Sequence, residues 1–145
     1  MAIRDTSKKA KQALAFRVHP ETLKQLRERA RELGETQTAL VERYIEEGIR
    51  MDRHPLIRFR EGTAGRRPAL VGTRLDVWQV IETIRQNDNS VEDAAEYLER
   101  PVHWIEACLA YYADYQDEID EWAAQEKAFA EREEARWRRQ QQLLA

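Results

Sequence analysis

A short alternating segment near the N-terminus is the first structured feature that the hydrophobic pattern predicts. Within residues 13–18, Leu14, Phe16 and Val18 fall on one face of an extended strand, because side chains alternate along it. A single strand with one apolar face is not stable in water. We therefore expect it to pair with the same segment of a second copy, which gives a two-stranded antiparallel ribbon in a homodimer.

The hydrophobic period then changes to the three- and four-residue spacing of amphipathic helices. Pro20 is suited to the first helical position and Gly34 ends this first helix. Thr36 is a predicted N-cap for a second helix, whose apolar stripe fades near Met51. The pattern predicts a strand followed by two helices.

The remainder of the chain is predicted to be mostly helical after one small hairpin. Alternation and glycines across residues 56–77 indicate the hairpin. Helical spacing follows over 77–85, again after Ser90, and from about 102 in a helix that could extend past Tyr115. The fold class is therefore mainly α.

Composition divides the chain into four segments. Residues 1–12 form a predicted flexible basic arm, 13–53 and 56–121 two small domains, and 122–145 a charged C-terminal helix. The chain from residue 116 onward has a sparse apolar stripe of Ile119, Trp122, Phe129, Trp137 and Leu144. Such a stripe favours either a partner protein or, for Trp122 and Phe129, packing on their own domain.

Charge is distributed unevenly although the formal net charge is only -3. Residues 1–31 contain nine Lys or Arg against three acids, and residues 57–74 contain five against one. Residues 75–121 contain two against thirteen. The two basic regions are candidates for contact with DNA phosphates, whereas the acidic region is a poor surface for an extended phosphate backbone.

Catalytic, metal-binding and membrane functions find little support in the residues. The three histidines lack metal-ligand spacing with each other or with the single cysteine, Cys108, which we expect to be a buried structural thiol. Glycine-rich phosphate loops and nucleophile motifs are absent from the sequence. We therefore expect a protein that is not an enzyme and uses no cofactor or metal. We also expect it to be cytoplasmic, because no apolar run reaches membrane-spanning length and residues 1–12 lack the apolar core of a signal peptide.

Residues 13–51 resemble the ribbon-helix-helix family of the Arc and MetJ repressors. The resemblance lies in the alternating strand, Pro20, Gly34 and Thr36. It implies a dimer that inserts its ribbon into the major groove of double-stranded DNA. The composition of the basic arm separately favours either ordering on DNA phosphates or a solubilising tail. The implied base-reading positions are Ala13, Ala15 and Arg17, the implied phosphate clamp is the backbone of Thr36, Gln37 and Thr38, and the arm contributes Lys8, Lys9 and Lys11.

The family usually has polar or basic side chains at all three outward ribbon positions. Here Ala13 and Ala15 supply no hydrogen bonds, so that Arg17 alone is suited to a guanine edge. We therefore expect weak base selection by the ribbon.

Residues 57–121 resemble a second group, the small winged-helix-like domains of bacterial antitoxins that are compared with the VapB group. The resemblance lies in 68–77, 91–97, 105–112 and 117–120. It implies a winged helix-turn-helix-like fold and a partner toxin, commonly a PIN-type nuclease, covered by the C-terminal region of the antitoxin. Its candidate DNA contacts are a basic wing, Arg66 and Arg67, and the start of the helix at about 102, Arg100 and His103.

These observations together predict a dimeric transcriptional repressor, in particular the antitoxin of a type II toxin-antitoxin pair that represses its own operon. Two alternatives stay open. One is a stand-alone transcription regulator or chromosome-organising protein without a toxin, and the other is an adaptor whose acidic domain and C-terminal helix bind a protein. Higher oligomers on DNA also stay open.

Overall fold

The computed structural model describes residues 10–62 and 64–145. This part of the chain contains six α-helices and one two-stranded hairpin, so the prediction of a mainly α-helical protein with a small hairpin and a long C-terminal helix is confirmed. The chain divides into two compact units with the boundary between Pro55 and Leu56. Each unit is described by itself below.

The N-terminal unit contains two helices, α1 (Pro20–Leu33) and α2 (Gln37–Arg53). Gly34, with φ of 66°, ends α1 in the left-handed conformation that glycine adopts at little cost. The Thr36 hydroxyl accepts a hydrogen bond from the Ala39 N–H at 3.1 Å and so caps α2. The predicted proline start, glycine end and threonine cap are confirmed.

Residues 10–19 have no regular secondary structure in this single chain. The strand predicted over residues 13–18 was expected to form only against a second copy, so it stays a prediction. The segment is not helical, and every residue in it is exposed.

The C-terminal unit begins with an antiparallel hairpin of β1 (Ile57–Gly62) and β2 (Gly65–Leu70). Its register pairs Ile57 with Leu70 and Gly62 with Gly65. Ile57 and Leu70 are buried, which directs this end of the hairpin into the core. The other end, at Gly62 and Gly65, contains the turn.

Four helices follow the hairpin. α3 opens after Asp76, whose backbone N–H donates to the Gln79 side chain at 2.8 Å, and α4 opens after Ser90, whose hydroxyl accepts from the Asp93 N–H. α5 does not extend past Tyr115 as the sequence allowed, because the backbone leaves helical geometry there, with φ of -130° and ψ of 41°. The helices are α3 (Val77–Gln86), α4 (Val91–Leu98), α5 (Val102–Asp114) and α6 (Gln116–Leu143).

α6 is one continuous helix of 28 residues. It begins before residue 122, where the charged C-terminal segment was predicted to start, and its first turn buries Ile119 in the core. The core of this unit also contains Cys108, as expected, together with the apolar faces of α3, α4 and α5. Its other buried members are Ile57, Leu70, Val77, Val80, Ile81, Ile84, Ala94, Ala95, Ile105 and Tyr111.

A polar contact on the surface also joins three of these helices. The Arg85 guanidinium of α3 donates to the Tyr112 hydroxyl of α5 at 2.7 Å, and this hydroxyl donates to Asp120 of α6 at 2.8 Å. Burial, followed by the hydrogen bond to Asp120, raises the pKa of Tyr112 above its usual value.

Across residues 10–62 and 64–145, no helix has the combination of length and apolar character that a membrane span requires.

Candidate nucleic-acid interface

The outward and inward faces of the predicted ribbon are both exposed in the single chain. Ala13, Ala15 and Arg17, the expected base-reading positions, lie in a segment without regular secondary structure and are all exposed. Leu14 and Phe16, on the opposite face, are 71% and 59% exposed. Two adjacent large apolar side chains in this state imply that the segment lacks its packing partner.

The two helices of the N-terminal unit also expose large apolar side chains. Ala30 and Leu40 are the buried apolar residues of this unit, whereas Tyr44, Ile45 and Ile49 on α2 are exposed. An open groove of about 1390 Å³ lies between the extended segment and the helices, and its walls are mainly apolar. The unit thus has an apolar surface and very little core.

The N-terminus of α2 is exposed at the three positions expected to clamp phosphate. Thr36, Gln37 and Thr38 are all accessible. The first four N–H groups of a helix have no partner within it, and the positive end of the helix dipole adds to their attraction for anions. One of these groups, the Ala39 N–H, is already bonded to Thr36.

The basic arm is only partly within the described residues. Lys8 and Lys9 lie outside them. Lys11 is exposed and forms an ion pair with Glu42 of α2 at 3.0 Å. An exposed pair of this kind has little net stability, so Lys11 can exchange Glu42 for a phosphate at small cost.

The two arginines of the predicted wing have different environments. Arg66 lies on β2 with its side chain 28% exposed, and its guanidinium is 3.3 Å from the Glu61 carboxylate across the hairpin. The side chain of Arg67 is only 11% exposed. Its guanidinium lies above Gly62, where an added Cβ would be 2.5 Å from it.

Arg67, the second of the expected DNA contacts on the hairpin, has its partners inside its own unit, and its contact with DNA stays a prediction. Its Nε is 3.1 Å from the Asp76 carboxylate, its Nη1 donates to Glu126 of α6, and its Cζ lies 5.7 Å from the centre of the Trp122 ring. A guanidinium with these partners stabilises the packing of α6 on the hairpin. Of the two wing arginines, Arg66 is the more accessible candidate phosphate contact.

Asp76, which the sequence analysis did not select, organises this charged cluster. It is 1% exposed. Its carboxylate accepts from Arg60 Nε at 2.7 Å and from Trp78 Nε1 at 3.2 Å, in addition to the ion pair with Arg67. A buried carboxylate needs such partners because desolvation otherwise penalises its charge. An Asp immediately before a predicted helix is a signal that could have identified Asp76 as a cap, but no sequence signal indicates which arginines would meet it.

The start of α5 presents Arg100 and His103 to solvent, as expected for a helix that reaches a groove. The His103 ring lies edge-on to Trp104, with 6.3 Å between ring centres. Around them, however, the charged residues exposed on α4, α5 and the loop between them are mainly acidic: Glu92, Asp93, Glu96, Glu99 and Glu106. This surface opposes DNA phosphates electrostatically.

The three aromatic residues of α6 are also in different environments. Trp122 is half-buried, with its ring against Arg67 and close to Gly65. Phe129 and Trp137 are 54% and 58% exposed. Trp122 therefore packs on its own domain, one of the two alternatives the sequence left open, while the other two are accessible to a partner.

Two observations concern catalytic chemistry. Burial raises the pKa of the Cys108 thiol to about 12, so that it is protonated at neutral pH. In the described part of the chain, no group of three or more His, Cys, Asp or Glu side chains is placed to hold a metal ion.

Comparisons of the chain with protein-family models, curated proteins and solved structures give no match.

Proposed function

We propose that this chain is a homodimeric DNA-binding transcriptional repressor whose N-terminal segments pair as a ribbon. The observation that supports it best is the exposure of large apolar side chains in the N-terminal unit. Leu14, Phe16 and Val18 are 71%, 59% and 44% exposed, and exposed α2 side chains border the same groove. A second copy would cover both surfaces at once.

The energetics favour a dimer. Full burial of a Leu, Phe or Val side chain stabilises by about 1.5–3 kcal/mol, and each ribbon would bury three such side chains from both copies. Small units with little core commonly need oligomerisation to be stable. The expected gain offsets much of the backbone entropy lost when residues 13–18 become ordered as strands.

The DNA-binding part of the proposal rests on charge and on α2. Residues 1–31 have nine basic residues against three acids, and the exposed N-terminus of α2 is suited to phosphate. Arg17 would project from the ribbon toward a guanine edge. Because Ala13 and Ala15 flank it, most of the affinity would come from phosphate contacts, with modest sequence selection.

The more specific proposal is an antitoxin that represses its own operon. It is supported by the resemblance of residues 57–121 to VapB-type domains and by the exposed Phe129 and Trp137 of α6, which suit a protein partner. The acidic exposed sides of α4 and α5 also suit a protein better than DNA. A PIN-type nuclease is the partner that the resemblance implies.

Binding of Arg17→Ala to upstream DNA tests the DNA-binding proposal. A lost bidentate guanine contact should weaken binding by about 1–3 kcal/mol, which is roughly five- to 150-fold, and should relax specificity at one base pair. Arg132→Ala, an exposed arginine of α6, is the matched control. Fluorescence anisotropy at one fixed salt concentration measures both, and parent-like binding by Arg17→Ala would refute the assigned role.

The dimer and the partner need separate measurements. Phe16→Ser should reduce the solution mass toward that of a single chain, whereas a parent chain that sediments as a monomer would refute the ribbon. Co-purification from the native host separates the functional alternatives. A stoichiometric small nuclease supports the antitoxin, and tight upstream binding without one supports a stand-alone regulator. Equal footprints on random and upstream DNA would instead support a chromosome-organising protein.

A further inference from the structure

The second half of α6 is a helix with an apolar and basic surface that touches little of its own unit. All residues from Phe129 to the end of the chain are exposed, among them Trp137, Leu143 and Leu144 at 58%, 83% and 84%. Residues 135–145 contain three arginines and no acid, and two of these arginines, Arg136 and Arg138, form exposed ion pairs with Glu133 and Glu134 of the preceding turn. The part of α6 from Phe129 onward has no packing partner in its own unit, and most helical stability in proteins comes from such packing. Its exposed Trp and Leu side chains therefore favour a bound state.

The exposed sides of α4 and α5 have the opposite charge. Residues 91–113 contain five acids and one arginine. Apolar side chains lie among these acids: Val102 and Leu109 of α5 are 38% and 40% exposed, and Tyr97 of α4 is 72% exposed. Val102 and Leu109 are seven residues apart and therefore share one helix face, with Glu106 between them.

We propose that the C-terminal end of α6 (residues 135–145) docks on the acidic face of α4 and α5 (residues 91–113) of a second copy of this chain. Trp137, Leu143 and Leu144 would pack against Tyr97, Val102 and Leu109, and the arginines beside them would meet the acids. Both surfaces combine apolar residues with charge of opposite sign, the arrangement that gives an interface its affinity and its orientation.

The contact joins two different surfaces, so it is head-to-tail. Such an interface closes in a pair only if the two copies exchange helix ends reciprocally, and otherwise continues from copy to copy. It goes beyond the proposed function and does not depend on DNA binding or on a toxin. For chains already paired through their ribbons, each dimer would present two helix ends and two acidic faces, which allows assembly beyond the dimer.

Complementary charge reversal in the full-length purified protein tests the proposal. One variant reverses the helix (Arg136→Glu, Arg138→Glu and Arg139→Glu), and the other reverses the face (Glu92→Lys, Glu96→Lys and Glu106→Lys). All six positions are exposed. Each exposed ion pair contributes about 0.2–1 kcal/mol to binding. Because three reversals remove three attractions and add three repulsions, they should weaken association by about tenfold or more.

Sedimentation velocity over a range of protein concentrations gives the readout, and circular dichroism checks that each variant is folded. The parent should form species larger than either variant alone, and high salt should reduce them. An equimolar mixture of the two variants should regain larger species, because the acidic helix of one matches the basic face of the other.

Three outcomes would overturn the proposal. Identical sedimentation of the parent and both variants at every concentration would show that the two surfaces do not associate. Assembly lost only in the helix variant would assign the helix another occupant, such as a second α6. Loss in both variants without recovery in the mixture would show that these surfaces do not meet each other. None of the substituted residues lies in the ribbon, so variants that sediment as dimers retain ribbon pairing, whereas variants that sediment as single chains show that the ribbon does not form.

Discussion

Replacement of Asp76 by asparagine is the most direct test of how the C-terminal unit is held together. The substitution keeps the volume of the side chain, removes its charge and replaces one acceptor oxygen by an NH2 donor. Three groups would lose a carboxylate partner: Arg60 Nε at 2.7 Å, Arg67 Nε at 3.1 Å and Trp78 Nε1 at 3.2 Å. Because Asp76 is 1% exposed, water cannot replace what is lost.

The expected cost follows from the burial of the partners. Removal of one member of a buried ion pair usually costs about 3–5 kcal/mol. Arg67 keeps Glu126, and the Arg60 side chain is 36% exposed and therefore partly solvated. We expect the lower end, about 3 kcal/mol, or a fall in melting temperature of roughly 12–24 °C for a unit of this size.

Urea and thermal denaturation followed by circular dichroism measure the effect. Glu61→Gln is the matched control, because it breaks an exposed pair on the same hairpin and should cost less than about 1 kcal/mol. In the Asp76→Asn background, Arg67→Met should cost less than it does in the parent, since the unpaired charge is removed as well. If Asp76→Asn unfolds like Glu61→Gln, or the two changes are additive, the cluster does not have the role assigned to it.

Two further predictions concern Cys108 and Arg66. Iodoacetamide should modify Cys108 in the folded protein far more slowly than in urea, because burial holds its pKa at about 12; equal rates measured by mass spectrometry would contradict the assigned burial. Arg66→Ala should weaken binding to all DNA sequences alike and reduce the slope of log affinity against log salt by about 1, whereas an unchanged slope, with Arg132→Ala as the control, would remove the hairpin from the interface.

Local structure was predictable wherever one short-range cause dominates. Pro20 and Gly34 set the limits of α1, and the Thr36 hydroxyl fixes the start of α2, because each acts within one helical turn. The hairpin was equally accessible, since glycines mark its turn. The end of α5 was not, because Tyr115 has no intrinsic property that ends a helix; its ring lies 4.7 Å from that of Tyr111, a contact set by packing.

The candidate site was predictable in composition but not in arrangement. Basic residues on the hairpin were evident in the sequence, but the adjacent Arg66 and Arg67 have different partners. Arg66 is partly exposed and pairs with Glu61, whereas Arg67 binds Asp76 and Glu126. Alternation along a strand separates their faces. Which face is covered depends on α6, which is some sixty residues away in sequence, and single-sequence patterns contain no such long-range information.

The bonds of Arg67 join the hairpin, the start of α3 and the first half of α6. The remaining part of α6 extends beyond this cluster. From Glu126 to Leu143 the helix is about 26 Å long at 1.5 Å per residue, so a tilt of about 10° at the cluster would displace its tip by about 4 Å. Small shifts in the contacts of Arg67 with Glu126 and Trp122 would therefore produce larger displacements of the C-terminal end of α6.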